Sequence, residues 1–335
     1  MFQYPALFTP PTVSHKAIRK SNMNKITALL GFLFILSCSN TEYSPKYSNF
    51  DNDWERENLI GRVKSIEQFK ANVSDIKKKE TEKPIIQLKK EFSETGMITY
   101  IENFDSFGNL EYNNRNEFDS NDYRLKSISE NFVLNTKTVE NNIIDSTIGK
   151  IISTKINFSD STYIKGFFKY DKNGNLIEQL SIEDKDTTKN RFEYIFDTSG
   201  NIVSRKQIQN TEDNIYEYLS EYKYNQDNNL IELKSSSEFS ETALTYEYDN
   251  RNRIKIIAEF INGELQKESF FDKLNNQTLV KFYNNGSLSK EMKFEYELDK
   301  TGNWIKRKVF LNEHTNQKSS WIPIFNETRM FEYYE

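Results

Sequence analysis

Short runs along this chain alternate aromatic or apolar residues with charged ones. Clear examples are residues 168–170, 222–224, 246–248 and 294–298. Because successive side chains of a β-strand point to opposite faces, a period of two places the aromatic residues on one face of a sheet and the charges on the other. The pattern predicts half-buried antiparallel strands.

A short cassette follows such runs six times. It consists of an aromatic residue or Leu, then Asp or Asn, two variable residues, Gly or Asn, a polar residue and usually an apolar one. The copies are residues 170–176, 196–202, 224–230, 248–254, 271–277 and 298–304. Their Asp or Asn positions, 171, 197, 225, 249, 272 and 299, lie 26, 28, 24, 23 and 27 residues apart, which suits two strands and two turns per repeat.

Other segments extend the series. Residues 104–110 form an outlying copy, and residues 92–96 and 283–286 resemble degenerate turns. The 52 residues from Asp119 to Asp171 leave room for one decayed copy. Since no linker rich in Gly, Pro or Ser divides the repeats, we expect a single β-repeat domain over residues 55–335.

Turn chemistry explains the cassette. Its fifth position is Gly at 108, 174, 200 and 302 and Asn at 228, 252 and 275, and these residue types enter the left-handed backbone region at least cost. The Asp or Asn at the second position can accept hydrogen bonds from backbone N–H groups two or three residues on. The chain is therefore predicted to be all-β, an antiparallel hairpin meander that forms one extended, curved sheet or a partly open barrel.

The cassette and the strand before it, aromatic-x-Tyr-Asp-x-x-Gly-Asn/Arg-Leu/Ile, resemble the YD repeat of RHS-type proteins. The best matches are residues 168–176, 194–202, 246–254 and 296–304, and residues 58–66 and 302–307 are similar to the borders of short YD-repeat lipoproteins of Gram-negative bacteria. The resemblance covers residues 55–335 and implies a hairpin-repeat fold.

Large RHS proteins form a closed shell around a toxin and end in a self-cleaving motif. This chain has fewer repeats and lacks that motif, so we do not expect a toxin carrier.

The N-terminal region predicts an exported lipoprotein. After Met23 and the basic Lys25, an apolar run at 26–37 is too short to span a bilayer and is followed by Cys38, the only cysteine. Residues 35–38, Ile-Leu-Ser-Cys, resemble a lipobox. We therefore expect residues 1–37 to be a lipoprotein signal peptide whose true start is Met23, Cys38 to carry lipid, and residues 38–54 to form a polar tether.

The charge balance bears on partners. The whole chain has 45 basic and 50 acidic residues, a net charge of −5. Removing residues 1–37 takes away four basic residues and no acid, which leaves 41 basic residues against 50 acids and a net charge of −9. Such an acidic protein is poorly suited to nucleic acid or to an anionic membrane surface. We expect the lipoprotein at the outer membrane. Residues 39–42 lack an acidic cluster similar to the surface-export signal of some Gram-negative lipoproteins, so we expect the protein on the periplasmic face.

Few residues suited to catalysis or metal binding are present. His15 and His314 are the only histidines, and His15 lies in the predicted signal peptide, so a metal site or a Ser-His-Asp triad would depend on His314 alone. The cassette acids are expected to close turns rather than to bind calcium or cleave glycosides: Asp171, Asp197, Asp249, Asp272 and Asp299. No catalytic residue, metal or cofactor is predicted.

The three tryptophans offer another chemistry, because exposed aromatic rings stack on sugars. Trp304 occupies the position of Leu or Ile in other cassettes, which favours packing in the core. For Trp54, packing in the core and stacking on a sugar are likewise the two alternatives. Trp321 has no equivalent in the repeats, so its role stays open.

These observations predict a lipid-anchored, non-enzymatic β-repeat protein of the cell envelope, which presents an extended surface to a protein or a glycan. One alternative is a polysaccharide-binding module of a glycan-uptake system. Another is a carboxylate-dependent glycoside hydrolase. The identity of the partner is left open by the sequence.

Overall fold

The computed structural model describes residues 52–75, 80–81, 83–183, 186–314 and 320–335. The predicted signal peptide and Cys38 lie outside these ranges, so the predictions made for them stay predictions. The described chain begins with a short helix, α1 (Asp53–Arg56), at the end of the predicted tether. No helix among the described residues is long and apolar enough to cross a membrane.

Among the residues that the structure describes, the remaining regular elements are β-strands. They are β1 (Val63–Asp75), β2 (Glu80–Thr81), β3 (Ile85–Phe92), β4 (Ile98–Phe104), β5 (Leu110–Phe118), β6 (Arg124–Asn131), β7 (Thr136–Asp145), β8 (Lys150–Phe158), β9 (Tyr163–Tyr170), β10 (Leu176–Glu183), β11 (Asp186–Phe196), β12 (Ile202–Asn210), β13 (Ile215–Tyr224), β14 (Leu230–Ser237), β15 (Glu241–Tyr248), β16 (Ile254–Ile261), β17 (Glu264–Phe271), β18 (Gln277–Asn284), β19 (Ser287–Leu298), β20 (Trp304–Glu313) and β21 (Ile322–Tyr333).

The strands form one closed sheet. Each long strand pairs with the next in antiparallel fashion, β3 pairs directly with β1, and the short β2 pairs with the end of β1. The last strand returns to the first, pairing from Val63 with Tyr333 to Asn72 with Phe325. The predicted antiparallel hairpin meander is confirmed, as a closed barrel of 20 strands. The barrel is fully closed and not partly open, because the backbone N–H and C=O groups at the free edges of β1 and β21 pair with each other.

The turns alternate between the two ends of the barrel. We call the end that holds the turns after β3, β5 and the later odd-numbered strands to β19 the cassette end, because all six regular cassettes lie there. The opposite end is the far end. Three earlier turns of the cassette end begin at Ser93, Asp119 and Asp145. These residues and Asp171 follow one another at intervals of 26 residues. The decayed copy is thus the turn at Asp145, while the outlying copy at 104–110 lies at the far end.

The cassette turn has the predicted backbone. In the turn of Asp171, the N–H groups of Asn173 and Asn175 donate to Oδ1 of the carboxylate at 2.8 and 2.9 Å, and the side-chain amide of Asn175 donates to Oδ2 at 2.8 Å. The carboxylate accepts from the N–H two residues on, as predicted, and also from the N–H four residues on. In the last cassette, Oδ1 of Asp299 accepts from the N–H three residues on, that of Gly302, at 2.8 Å. Positive φ at the fifth position is confirmed for Gly174, Gly200, Gly302, Asn228, Asn252 and Asn275.

We expect Gly174→Val to lower the free energy of unfolding by about 1 to 3 kcal/mol, because it forces a β-branched residue to positive φ. A Cβ at this position would have only the Lys150 side chain within 4 Å, at 3.7 Å, so the loss would report backbone strain and not a clash. Gly200→Val should behave alike, whereas Asn228→Gly should be neutral or slightly stabilising. Chemical denaturation measures all three. A Val variant as stable as the wild type would contradict the turn assignment.

A β-bulge follows each cassette turn and sets which side chains face inward. In the first cassette Ile177 is the extra residue, between the pairs that Leu176 makes with Tyr170 and Glu178 makes with Lys169. Because of the bulge, the seventh residue of the cassette points inward together with residues three and five positions further on. Buried seventh positions are Leu176, Ile202, Leu230 and Trp304.

Tyrosines near the cassette turns tie neighbouring hairpins together. The hydroxyl of Tyr170 donates to the backbone carbonyl of Ile151 at 2.8 Å, and that of Tyr248 donates to the carbonyl of Leu230 at 2.6 Å. Equivalent bonds join Tyr194 to Leu176, Tyr224 to Ile202 and Tyr296 to Gln277. The acceptors lie just after the preceding turn, so the aromatic face expected from the period of two is the inner face, where it links successive repeats.

The outer face carries charges in cross-strand pairs. Glu178 lies between Lys169 and Lys189, at 2.8 and 2.7 Å. Similar pairs join Lys206 to Glu217, Lys223 to Glu232 and Lys306 to Glu297. This charged wall differs from the apolar band that a lipid-facing barrel presents.

Candidate interaction surfaces

His314 lies at the far end of the barrel. Its Nε2 is 2.9 Å from Oε2 of Glu291, and the side-chain amide of Asn312 donates to the same oxygen at 3.1 Å. Within the described part of the chain, no group of three or more His, Cys, Asp or Glu side chains is placed to hold a metal ion. His314 thus takes part in a local polar contact with one carboxylate.

The cassette acids close turns, as predicted. Each carboxylate accepts a hydrogen bond from the N–H of the sixth residue of its cassette: Asp171, Asp197, Asp249, Asp272 and Asp299. Hydrogen bonds from the side chain and backbone of Arg253 lower the pKa of Asp249 to about 2. The proton donor of a glycoside hydrolase needs the opposite shift, a raised pKa.

We expect the turn acids to make stability depend on pH below about pH 4. The folded pKa of Asp249 lies below the value near 3.9 of an unfolded Asp, so its contribution is fully present above about pH 4 and is lost as the pH falls towards about 2. Asp249→Asn should therefore flatten the fall of the melting temperature between about pH 4 and pH 2. Asp213→Asn, which removes the same charge from a far-end turn, is the control. Circular dichroism melts that show parallel curves for Asp249→Asn and the wild type would contradict this expectation.

Residues 52–62, here the cap segment, run across the cassette end. The N–H of Asp53 donates to the carbonyl of Gly96 at 3.0 Å, and its carboxylate accepts a hydrogen bond from the N–H of Ile98 at 2.6 Å. Further along, the side-chain amide of Asn58 donates to the carbonyl of Leu274 at 2.8 Å. The cap segment thus connects the turn after β3 with the turn after β17.

The cap segment also contacts the last cassette. The side-chain oxygen of Asn303 accepts from the N–H of Ile60 at 2.8 Å, and its amide donates to the carbonyl of Ile60 at 2.7 Å. The amide of Asn303 donates to the hydroxyl of Tyr333 at 2.9 Å as well. The polar sixth residue of this cassette therefore holds the N-terminal segment as well as its own turn.

Glu57 of the cap segment and six side chains of the barrel form a group that we call the seam cluster: Glu57, Gln68, Lys90, Trp304, Arg307, Glu327 and Arg329. All of them are buried except Glu57 and Arg307, which are partly buried. Nζ of Lys90 donates to Oε1 of Glu57 at 2.5 Å, and Nε of Arg329 donates to Oε1 of Gln68 at 2.9 Å. Strands β1, β3, β20 and β21 supply most of these residues. The cluster therefore sits where the N-terminal and C-terminal strands close the barrel.

Each carboxylate of the seam cluster is matched by a cation. Arg307 pairs with Glu327, and the guanidinium of Arg329 lies 3.8 Å from the centroid of the Trp304 ring. Burial lowers the pKa of Arg329 to about 10, against the opposing effect of Glu57, so the side chain stays charged at neutral pH. Burial also works against ionisation of Glu57, but Lys90 and Arg329 hold its pKa below the ordinary value. The arrangement suits structural closure, not proton donation.

The tryptophans occupy different environments. Trp304 is buried, which confirms its prediction as a core residue. Trp54 packs against Phe92 with ring centroids 6.5 Å apart, and its Nε1 donates to the carbonyl of Val63 at 2.7 Å. Trp321 is 41% exposed at the far end. Of the three, Trp321 offers the most free ring surface.

The far end displays apolar side chains at the tips of its turns. Phe107 is 82% exposed in the turn after β4, and residues 132–134, Phe-Val-Leu, are 49%, 69% and 69% exposed in the turn after β6. The two turns are neighbours, and the N–H of Phe132 donates to the carbonyl of Glu111 at 2.9 Å. We call Phe107 with residues 132–134 the far-end cluster.

Neither the seam cluster nor the far-end cluster was predicted from the sequence. Leu88, Lys90 and Phe92 occupy alternate positions of one strand and therefore share a face. Lys90 thus lies on an otherwise apolar face. Residues 132–134 break the alternation with three consecutive apolar residues before Asn135, a turn-forming residue. The charged residue on an apolar face was the available sequence signal for the seam cluster, and the apolar run before a turn was the signal for the far-end cluster.

Comparisons with known proteins give distant structural likenesses. No protein-family model and no curated protein matches the sequence. Among solved structures, a porin-like protein from Bacteroides uniformis is 10% identical, with a TM-score of 0.34 over 81% of this chain and 96% of that one. A chain of TcdB2-TccC3-TEV is 10% identical, with a TM-score of 0.22 over 72% of this chain, which spans 18% of its length. Likenesses this distant carry no argument about function, and the relation to YD-repeat lipoproteins stays a resemblance.

Proposed function

We propose that this chain is a non-enzymatic, lipid-anchored barrel of the cell envelope that binds a partner protein at its far end. The observation that carries the proposal is the far-end cluster, whose side chains are 49% to 82% exposed. Exposed apolar groups of this kind mark sites of protein interaction. Val133 and Leu134 offer a sugar neither a hydrogen-bonding group nor an aromatic ring, which favours a protein over a polysaccharide.

The proposed anchor is Cys38, as part of an outer-membrane lipoprotein on the periplasmic face. The described chain begins at residue 52 beside the cassette end, and an extended chain from Cys38 to that point reaches about 45 Å. A lipid on Cys38 would hold the barrel at a membrane from the cassette end and leave the far end free for a partner.

The anchor predicts a simple labelling result. Wild-type protein expressed in Gram-negative cells should incorporate a palmitate analogue, whereas Cys38→Ala should lose the label completely and be released or remain unprocessed. Fluorescence of the labelled band and membrane fractionation measure both effects. An unlabelled wild type would overturn the anchor.

The binding site is tested by photo-crosslinking in cells. A photoreactive residue in place of Phe107 should give a crosslinked protein, and one in place of Thr198, in a cassette-end turn, should not. Excess purified chain 39–335 should compete the crosslink away, and the same chain with Val133→Ser and Leu134→Ser should not compete. Equal competition by both chains would contradict the site, and binding to a glycan array that is lost in the same variant would favour the polysaccharide alternative.

The absence of catalysis is part of the proposal. The carboxylates of the cassettes and the seam cluster are engaged in hydrogen bonds and ion pairs. If purified chain 39–335 hydrolysed a polysaccharide, and one Asp or Glu substitution abolished turnover without loss of the fold, the glycoside hydrolase alternative would replace this proposal.

A further inference from the structure

The outer wall over β8–β11 carries more cations than acids. Its outward residues also include Lys169, Glu178 and Glu193, and we call the following subset the basic face: Lys155, Lys165, Phe167, Leu180, Lys189 and Arg191. Registers place Lys155 beside Lys165, Phe167 beside Leu180, and Leu180 beside Lys189. Phe167 is 42% exposed among these cations. The face therefore combines an apolar centre with positive charge in a protein whose net charge is negative.

Two cations of the basic face are held by an aromatic ring. Nζ of Lys155 and Nζ of Lys165 each lie 5.3 Å from the centroid of the Tyr163 ring. Neither these two lysines nor Arg191 forms an ion pair with another described residue. Lys169 and Lys189, by contrast, both pair with Glu178. The positive charge of Lys155, Lys165 and Arg191 is thus left to be matched from outside.

Two neighbouring far-end turns, after β12 and β14, carry the opposite charge. We call their exposed residues the acidic tips: Glu212, Asp213, Ile215, Glu238 and Phe239. Ile215 is 67% and Phe239 is 76% exposed. The three acids form no ion pair with residues that the structure describes. The acidic tips therefore have an apolar pair beside unmatched negative charge, the complement of the basic face.

We propose that the acidic tips of one copy of this chain dock on the basic face of another copy. The apolar pair Ile215 and Phe239 would cover Phe167 and Leu180, while the acids meet Lys155, Lys165 and Arg191. Because the two surfaces lie at different places on the barrel, the contact is head to side. It leaves the basic face of one copy and the acidic tips of the other copy free. Such contacts add copies in a row rather than closing a dimer. This inference does not rest on the proposed function, which uses the far-end cluster.

Sedimentation velocity of chain 39–335 tests the contact. This chain retains every described element, from the cap segment to β21, and so contains the whole closed barrel. The wild type should sediment faster as its concentration rises to about 1 mM, the range of weak association, and should pass beyond the size of two copies. Lys155→Glu with Lys165→Glu, and separately Glu212→Lys with Glu238→Lys, should each raise the apparent Kd at least about tenfold.

An equal mixture of the two charge-reversed variants is the decisive sample. It should recover association, because the intact acidic tips of the first variant meet the intact basic face of the second. The control, Lys172→Glu with Lys300→Glu, makes the same charge change in cassette-end turns and should associate like the wild type. A monomeric wild type at all concentrations, a species that stops at two copies, or a mixture that stays monomeric would each overturn the proposal.

Discussion

Lys90→Met should lower the free energy of unfolding by about 3 to 5 kcal/mol, one of the two largest effects we expect. The Lys90 side chain is 8% exposed and its partner Glu57 is 20% exposed. Removing the cation leaves a carboxylate out of reach of full solvation, and an unpaired buried charge costs far more than the pair contributes. Arg329 remains near Glu57 and should keep the loss within this range. Urea denaturation measures it.

Two further variants make the Lys90 result interpretable. Lys169→Met removes a cation whose side chain is 70% exposed in its pair with Glu178, and it should cost less than about 1 kcal/mol. Adding Glu57→Gln to Lys90→Met should restore a good part of the stability, because the buried charge is then gone. Equal losses for Lys90→Met and Lys169→Met would show that the seam cluster does not stabilise closure.

Gly96→Val should cost about 3 to 5 kcal/mol, for a different reason. Gly96 has φ +91°, and a Cβ built on it would lie 2.6 Å from Cε3 of Trp54. Backbone strain and overpacking each cost about 1 to 3 kcal/mol. Because Trp54 packs on the core cluster of Leu59, Val63, Ile66 and Phe92, displacing it should also loosen the cap segment.

The control for Gly96→Val separates the clash from the strain. Gly263 has φ +80° with nothing within 4 Å of a built Cβ, so Gly263→Val should show only the strain, about 1 to 3 kcal/mol. The tryptophan emission should shift to longer wavelength in Gly96→Val and stay unchanged in Gly263→Val. Matching stabilities and spectra for the two variants would contradict the packing of Trp54 against this turn.

Local features of the fold were predictable because they depend on neighbours in the chain. Asp171 and Gly174 belong to one turn, and its hydrogen bonds are made within five residues, so the cassette itself specifies them. The strand alternation likewise predicted an inner aromatic face, and the buried Trp304 agrees with its place in the repeat. The lipid on Cys38 and the partner at the far end stay proposals.

The seam cluster illustrates what local patterns miss. Gln68 and Arg329 are 261 residues apart in the chain, and Lys90 reaches Glu57 only because the cap segment folds over the cassette end. In the sequence these residues look like ordinary strand charges. Their burial depends on the meeting of the first and last strands, which no period or turn signal encodes.

By itself, the sequence determined the strands, the tight turns and the order of the hairpins, because φ preferences at Gly and Asn and side-chain alternation act over a few residues. Only the tertiary structure decided that the sheet closes, that the cap segment covers the cassette end, and that exposed apolar residues gather at the far end. Closure follows from the pairing of β1 with β21, because it provides hydrogen-bond partners for the backbone N–H and C=O groups of both edge strands. That pairing then fixes the inside of the barrel, and with it which charges are buried and which surfaces are left for partners.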